Sequence, residues 1–332
     1  MHCSMFRLPM ICLSIAGMAL IAGMAAPSLL KAQGSGPGEY SVQWIPKPSE
    51  ATSLYVNGLA MATDSHGEVN LALVVGWQNR TDRPDRSAYI YDHFGELEPL
   101  SPGHFYDIND PGLAVQFPPD WMPDAKGSSF VDVNTSGRIV GSLKGPDGSS
   151  TGFYLDLFPT DENGNPVPRE LKPIDPPFQT GNQFYGRDVN EAGDILVVSH
   201  DGPPGGGVGV GYPYIFNPEN NEHIEIPVLS NHRVAFNNFR QVMGLRRTDD
   251  VVFRHTITQP DGSGSTETFP DLASSVSPNI NDFGEFAATI YVPRGRDKGA
   301  YPVRLGMNGS IEWQASLKGT ATIPINQVSC MI

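Results

Sequence analysis

The chain has 332 residues, a formal net charge of −14 at pH 7, and 36 glycines and 30 prolines spread along its length. Acidity without basic clusters argues against nucleic acid or an anionic membrane surface as partner. The glycine and proline load, with no interior apolar period of helical spacing, leaves no room for a helical bundle and predicts many short strands joined by turns.

Taken from the N-terminus, His2 and Arg7 precede an apolar run from Met10 to Ala26, and small residues follow. A weakly basic start, a short apolar core and small residues after it describe a secretory signal peptide over residues 1–32, cleaved after Ala32, with Ala25 the alternative. Cys3 and Cys12 leave with it, so Cys330 alone remains and neither an internal disulfide nor a cysteine-based zinc site is possible. Residues 33–39 are a Gly/Ser/Pro linker. Residues 40–332 read as a single domain that opens on an alternating strand, Tyr40 to Ile45.

A repeated unit then governs the chain. Asp132-Val-Asn134-Thr-Ser-Gly137-Arg-Ile-Val-Gly141 is its fullest copy, read as strand, tight turn, strand. Diverged copies are centred on Asp64–Gly67, Asn109–Gly112, Asn190–Gly193, Asn237–Arg240 and Asn281–Gly284. An asparagine opening the turn bonds backbone groups two residues ahead, and a glycine at the fourth position accepts positive φ, which suits a hairpin closing on a G1-type bulge. A second hairpin follows each full copy and carries an aromatic in its first strand: Tyr89, Phe153, Tyr214, Phe253 and Tyr301. Each unit is therefore four strands. From Asp64 to Asn326 the steps average about 44 residues, the period of a β-propeller blade. The expected fold is an all-β propeller of six or seven blades, with seven favoured if Asn109 opens a shortened one. Asn326 has the phase of a first strand and Tyr40–Ile45 that of a second half. Strands from both termini are thus expected to close the ring.

The pattern Ile/Val-Asn-x-x-Gly-x-Ile/Val-Val-Gly, followed by a small-residue and aromatic strand, resembles the bacterial extracellular HAF repeats. Asp132–Leu143 matches best, then Asp188–Ser199, Ser277–Ile290 and Asp107–Phe117. The second half persists only as Ser87-Ala88-Tyr89, Thr151-Gly152-Phe153 and Gly299-Ala300-Tyr301, without its histidine. The resemblance implies a secreted bacterial protein with a propeller-like fold and implies no activity.

No catalytic, cofactor-binding or metal-binding residue is assigned. The chain lacks a G-x-S-x-G elbow and an H-E-x-x-H helix, and its histidines, scattered without ligand spacing, read as exposed turn residues. Gly205–Gly211 is glycine-rich, but no helix follows it to back a phosphate cradle. Asp161, Asn163 and Asn165 offer alternate oxygens to a calcium ion, yet Asp161-Glu-Asn-Gly164 is also an ordinary hairpin turn. Asp132, Asn134 and Gly137 read as scaffold. Function is expected in the non-repeated insertions Asp110–Ser128, Phe158–Gln183 and Ser199–Gly211, in or near which Trp121, Phe178, Tyr185 and Tyr212 could stack on a sugar or simply pack. The expected role is a secreted, non-catalytic propeller, periplasmic or extracellular. It would bind a carbohydrate or an envelope protein, or serve structurally. The alternative is a polysaccharide hydrolase or lyase with carboxylates converging at the channel mouth.

Overall fold

The computed structural model describes residues 31–32, 40–41, 48–63, 69–93, 103–175, 183–201, 211–269, 279–292, 299–306 and 311–314. Near the N-terminus, β1 (Lys31–Ala32) pairs antiparallel with β2 (Tyr40–Ser41). Among the described residues five four-stranded antiparallel meanders come next in chain order, the second to fourth joined into one twelve-stranded sheet by single pairings, Gln183 with Ser150 and Ser230 with Gly211, and no helix occurs. The first is β3 (Ala51–Thr63), β4 (Val69–Arg80), β5 (Ser87–Asp92) and β6 (His104–Asp107). The second is β7 (Gly127–Val133), β8 (Arg138–Lys144), β9 (Ser150–Asp156) and β10 (Lys172–Pro173). The third is β11 (Gln183–Val189), β12 (Ile195–His200), β13 (Gly211–Asn217) and β14 (Glu222–Glu225). The fourth is β15 (Ser230–Phe236), β16 (Gln241–Arg246), β17 (Val252–Ile257) and β18 (Gly264–Phe269). The fifth is β19 (Asn279–Ile280), β20 (Phe286–Val292), β21 (Gly299–Leu305) and β22 (Ile311–Gln314).

The first strands of consecutive units lie against one another, β3 on β7, β7 on β11, β11 on β15 and β15 on β19. Four-stranded meanders with neighbouring first strands are the blade arrangement of a propeller. The core explains why the second strands are apolar runs rather than alternations. Along β12, Ile195 and Val197 pack with Val140 and Tyr154 of the second unit. Leu196 and Val198 point the other way, into a cluster with Val234, Phe236 and Val242 of the fourth. Successive side chains of a strand face opposite sides, so a unit with neighbours on both sides needs apolar residues at every position. The aromatics Tyr89, Phe153, Tyr214 and Phe253 lie on the third strands and are buried, as units of one plan.

Close approach of the first strands to the neighbouring unit depends on glycine. A Cβ on Gly58 would lie 2.6 Å from the Cα of Asp132, and one on Gly186 would lie 2.0 Å from Cγ2 of Val140.

Two expectations from the sequence do not hold. Asn109 does not open a shortened blade: Asp107 ends β6, and residues 108–126 connect the first unit to the second. The carboxylate of Asp107 accepts the backbone N–H and side-chain amide of Asn109 at 3.0 and 2.7 Å, so the local turn chemistry is present without a returning strand. The insertion Asp110–Ser128 and the described part of Phe158–Gln183, residues 158–175, in which function is expected from the sequence, pack against the core and each other. Leu113 is fully buried, and Val115, Phe117, Trp121 and Met122 pack against the core between the first two units. Arg169 donates to the carbonyls of Leu157 and Leu113 at 2.7 and 3.1 Å, tying the two insertions together.

Candidate functional site

Two features gather polar or exposed side chains from several units: a carboxyl pair among the first strands, and the row of turns between first and second strands.

The carboxyl pair is Asp132 and Asp188. Both stand one residue past a bulge in their first strand, where the register shifts between Phe130 and Asp132 and between Gly186 and Asp188. Both are half-buried, and their carboxyls are hydrogen-bonded to each other. Asp132 also accepts the N–H of Val189 at 3.1 Å, and Asp188 that of Phe236 at 2.8 Å. Each carboxyl thus ties its own unit to the next. Burial, and then the neighbouring Asp188, push Asp132 well above the usual carboxylate range. Burial likewise raises Asp188, against the bond from Asp132. Both causes favour the neutral form, most strongly at Asp132. Beside it, Arg187 lies over the ring of Tyr185 at 4.7 Å, and burial pushes its guanidinium down to about 10. Asp132 reads as scaffold from the sequence, and its carboxyl serves the scaffold between units rather than within its own turn.

The turns share one plan. The side-chain oxygen of the leading asparagine accepts the backbone N–H four residues on, from Arg138 (2.8 Å), Asp194 (2.8 Å), Gln241 (3.0 Å) and Glu285 (3.0 Å). The fourth position has positive φ at Gly137 (82°), Gly193 (85°), Arg240 (55°) and Gly284 (73°). Arg240, where glycine is expected, adopts the same conformation as the glycines. The corresponding turn of the first unit, Asp64–Gly67, lies outside the described residues.

Neighbouring turns are bonded to each other. Asn134 donates its amide to the carbonyl of Asn190 at 2.9 Å, and Asn237 donates to that of Asn281 at 2.8 Å. The second turn position continues the row: Thr135 donates to Glu191, Glu191 N–H to Asn238 (2.7 Å), and Asn238 N–H to Asp282 (2.9 Å). The third position is exposed throughout: Ser136, Ala192, Phe239 and Phe283. Phe239 is 65% exposed and Phe283 76%, the two most exposed large apolar side chains among the described residues. Sequence reasoning passed over both because it sought function outside the repeat. The signal was available in a phenyl group at a position where the second and third units carry serine and alanine.

The remaining sequence candidates occupy ordinary structural positions. Asp161 bonds the backbone N–H of Asn163 and Asn165 at 2.9 and 2.8 Å, and Asn165 donates its amide to both carboxylate oxygens. The turn's own donors thus occupy both oxygens, as in a plain hairpin turn with Gly164 at φ 81°. Trp121 is a packing residue that donates its indole N–H to Leu171 O at 2.7 Å. Tyr185 bonds Gln183, and its ring meets the edge of His200 at 5.7 Å. Tyr212 is half-buried at the start of β13. Phe178 and residues 202–210, most of the glycine-rich loop, lie outside the described residues. The histidines are not uniformly exposed turn residues. His200 and His255 are buried, and the ring of His255 bonds Thr266 (2.8 Å) and the carbonyl of Gly262 (3.0 Å).

No protein-family model matches the chain, and no curated protein matches it. Among solved structures, it is similar to the six-bladed β-propeller fucose-recognising lectin of Aleuria aurantia, with a TM-score of 0.42, 9% identity, and coverage of 82% of this chain and 81% of that one. It is also similar to regucalcin, a calcium-binding protein of Agrobacterium tumefaciens, with a TM-score of 0.40, 10% identity, and coverage of 79% and 74%.

Proposed function

We propose that this chain is a secreted, non-catalytic β-propeller of the HAF-repeat type, with a binding role at the cell envelope or outside the cell. The observation that carries the binding role is the turn row. Rigid, mutually bonded turns hold Phe239 and Phe283 in solvent, where they contribute nothing to the core. The alternative of a polysaccharide hydrolase would draw on Asp132 and Asp188, the carboxyls that meet between units. Hydrogen-bonded to each other, they stand closer than the roughly 5–10 Å that the two carboxyls of a glycosidase require, and each is already engaged by a backbone N–H. Glycan-array binding with a reducing-sugar assay on the exported protein tests the reading. Binding without product supports it, and product release, lost in Asp132→Asn, overturns it.

The ring is proposed to close through Ile323–Gln327. The second turn position of each unit accepts the N–H of the preceding one, at Glu191, Asn238 and Asp282. Asn326-Gln327 stands 45 residues beyond Asn281-Asp282 and offers the same asparagine followed by an acceptor side chain. With Asn109 reassigned, this makes a sixth blade. Export is proposed from the N-terminal segment, and the N-terminal residue of the exported protein, expected to be Gln33, tests it. No helix among the described residues is long and apolar enough to cross a membrane.

A further inference from the structure

We infer that the adjacent turns of the fourth and fifth units form a saccharide-binding platform, with Phe239 and Phe283 as stacking faces for consecutive sugars of a neutral oligosaccharide. The inference rests on the binding role above and names its site and ligand class.

The repeat supplies its own control. The third turn position is Ser136 in the second unit and Ala192 in the third, and those turns have the same asparagine bonds and the same positive φ as the other two. Turn geometry therefore does not require a phenyl ring at this position. Two such rings occur, on consecutive units, and both are left in water. Holding apolar rings in solvent forgoes the stabilisation that burial gives, so a fold-only account leaves them unexplained.

The turns are also fixed relative to each other. Asn237 bonds the Asn281 carbonyl at 2.8 Å, and Asn238 bonds Asp282 through its backbone at 2.9 Å and its side chain at 2.6 Å. Within each turn, the N–H of the phenylalanine is held by its own asparagine, at 3.1 Å for Phe239 and 3.0 Å for Phe283. A ligand that spans both rings meets a preorganised pair, which limits the entropy lost on binding.

The surroundings select the ligand. Asn238 and Asp282 stand directly before the two phenylalanines in their turns and are bonded to each other, Glu191 is bonded to Asn238, and Arg240 follows Phe239. Oxygens that already accept one hydrogen bond retain a second lone pair for a hydroxyl. An aromatic face next to amide and carboxylate groups matches a sugar, which is apolar on its C–H face and hydroxylated at its edge. Phosphorylated or sulfated ligands are disfavoured by Asp282 and Glu191 and by the chain's net charge of −14. A protein partner would require a wider desolvated apolar patch around its anchors. Among the described residues, the other exposed large apolar side chains, Met61, Phe158, Val167 and Leu229, lie on other units or connectors.

The test is calorimetric titration of the full exported chain with neutral oligosaccharides chosen by glycan array. The variants are Phe239→Ser and Phe283→Ala, which install what the other units carry, together with their combination and Phe239→Trp. Each single replacement is expected to weaken binding about tenfold and the combination about a hundredfold, with the melting temperature unchanged, while Phe239→Trp retains binding. If the wild type binds a saccharide and the double variant binds it equally well, the site assignment fails and the binding role stands. Failure to bind any saccharide on the array overturns the ligand class. A preference for sulfated or acidic glycans overturns the neutral assignment. A dimer lost in the double variant would assign the rings to a second copy instead.

Discussion

Asp132 and Asp188 face each other across two units, and their chemistry sets a pH dependence. A carboxyl whose folded value is raised holds its proton longer in the folded state than in the unfolded chain. Stability is then undiminished below the unfolded value and falls as pH rises toward and through the folded one. Asp132→Asn cannot ionise but can still donate to Asp188 and accept from Val189. The melting temperature of the wild type is therefore expected to drop relative to this variant as pH rises above the usual carboxylate range, at up to about 1.4 kcal/mol per pH unit. A gap that stays constant with pH would refute the raised Asp132. Asp188→Ala leaves the buried N–H of Phe236 without its acceptor and should cost about 1–3 kcal/mol in denaturant unfolding at mildly acidic pH. Asp107 has the opposite sign. Burial raises it, but bonds from Ser87, Asn109 and Gln78 hold it below the usual value. Its contribution is lost as pH falls through that lowered value. None of this was legible in the sequence, because the partners of Asp132 and Asp188 lie 57 and 48 residues further along the chain.

At the scale of the element, the turns were legible and the insertions were not, for one reason. An Asn-x-x-Gly turn is stabilised by bonds spanning four residues, so its chemistry is complete within the pattern. Asn237→Ala should test this. It removes the acceptor for the N–H groups of Phe239 and Gln241 and the donor to Asn281, and should cost about 1–2 kcal/mol in thermal unfolding. The Asn109 copy shows the limit of local reading. Asp107 caps the end of a strand there with similar bonds, and the connector beyond it is held by packing: Ala114 takes φ 52°, and Leu113 buries itself between two units. Trp121 and Arg169 are likewise placed by partners in other segments, at Leu171 and at Leu157 and Leu113. Their loops looked like candidate binding loops only because their partners were out of view. The turn at Asp161 is local and complete. Calcium is expected to leave the melting temperature of the wild type and of Asp161→Ala unchanged, and a calcium-dependent rise lost in the variant would restore the metal reading.

At the scale of the molecule, apolar second strands such as β12, alternately facing two neighbours, make each unit depend on the units beside it. The four-strand period and the all-β class were readable because that dependence imprints uninterrupted apolar runs at regular spacing. The exposed pair Phe239 and Phe283 was not, since its meaning comes from what the core does not use. Deleting Ile323 to Ile332 should sharply lower the melting temperature if those residues supply the closing strand, and an unchanged melt would remove that proposal. The row of bonded turns has a further consequence. Many of the bonds between units run from a side chain on one to the main chain of the other: Asn134 to Asn190 O, Asn237 to Asn281 O, Asp132 to Val189 N, Asp188 to Phe236 N, Arg138 to Gly193 O and Arg254 to Gly284 O. Main-chain groups are the same whatever residue carries them. One partner in each such bond is therefore indifferent to substitution, and a unit can drift in sequence or be exchanged for a sibling without its neighbour having to change in step.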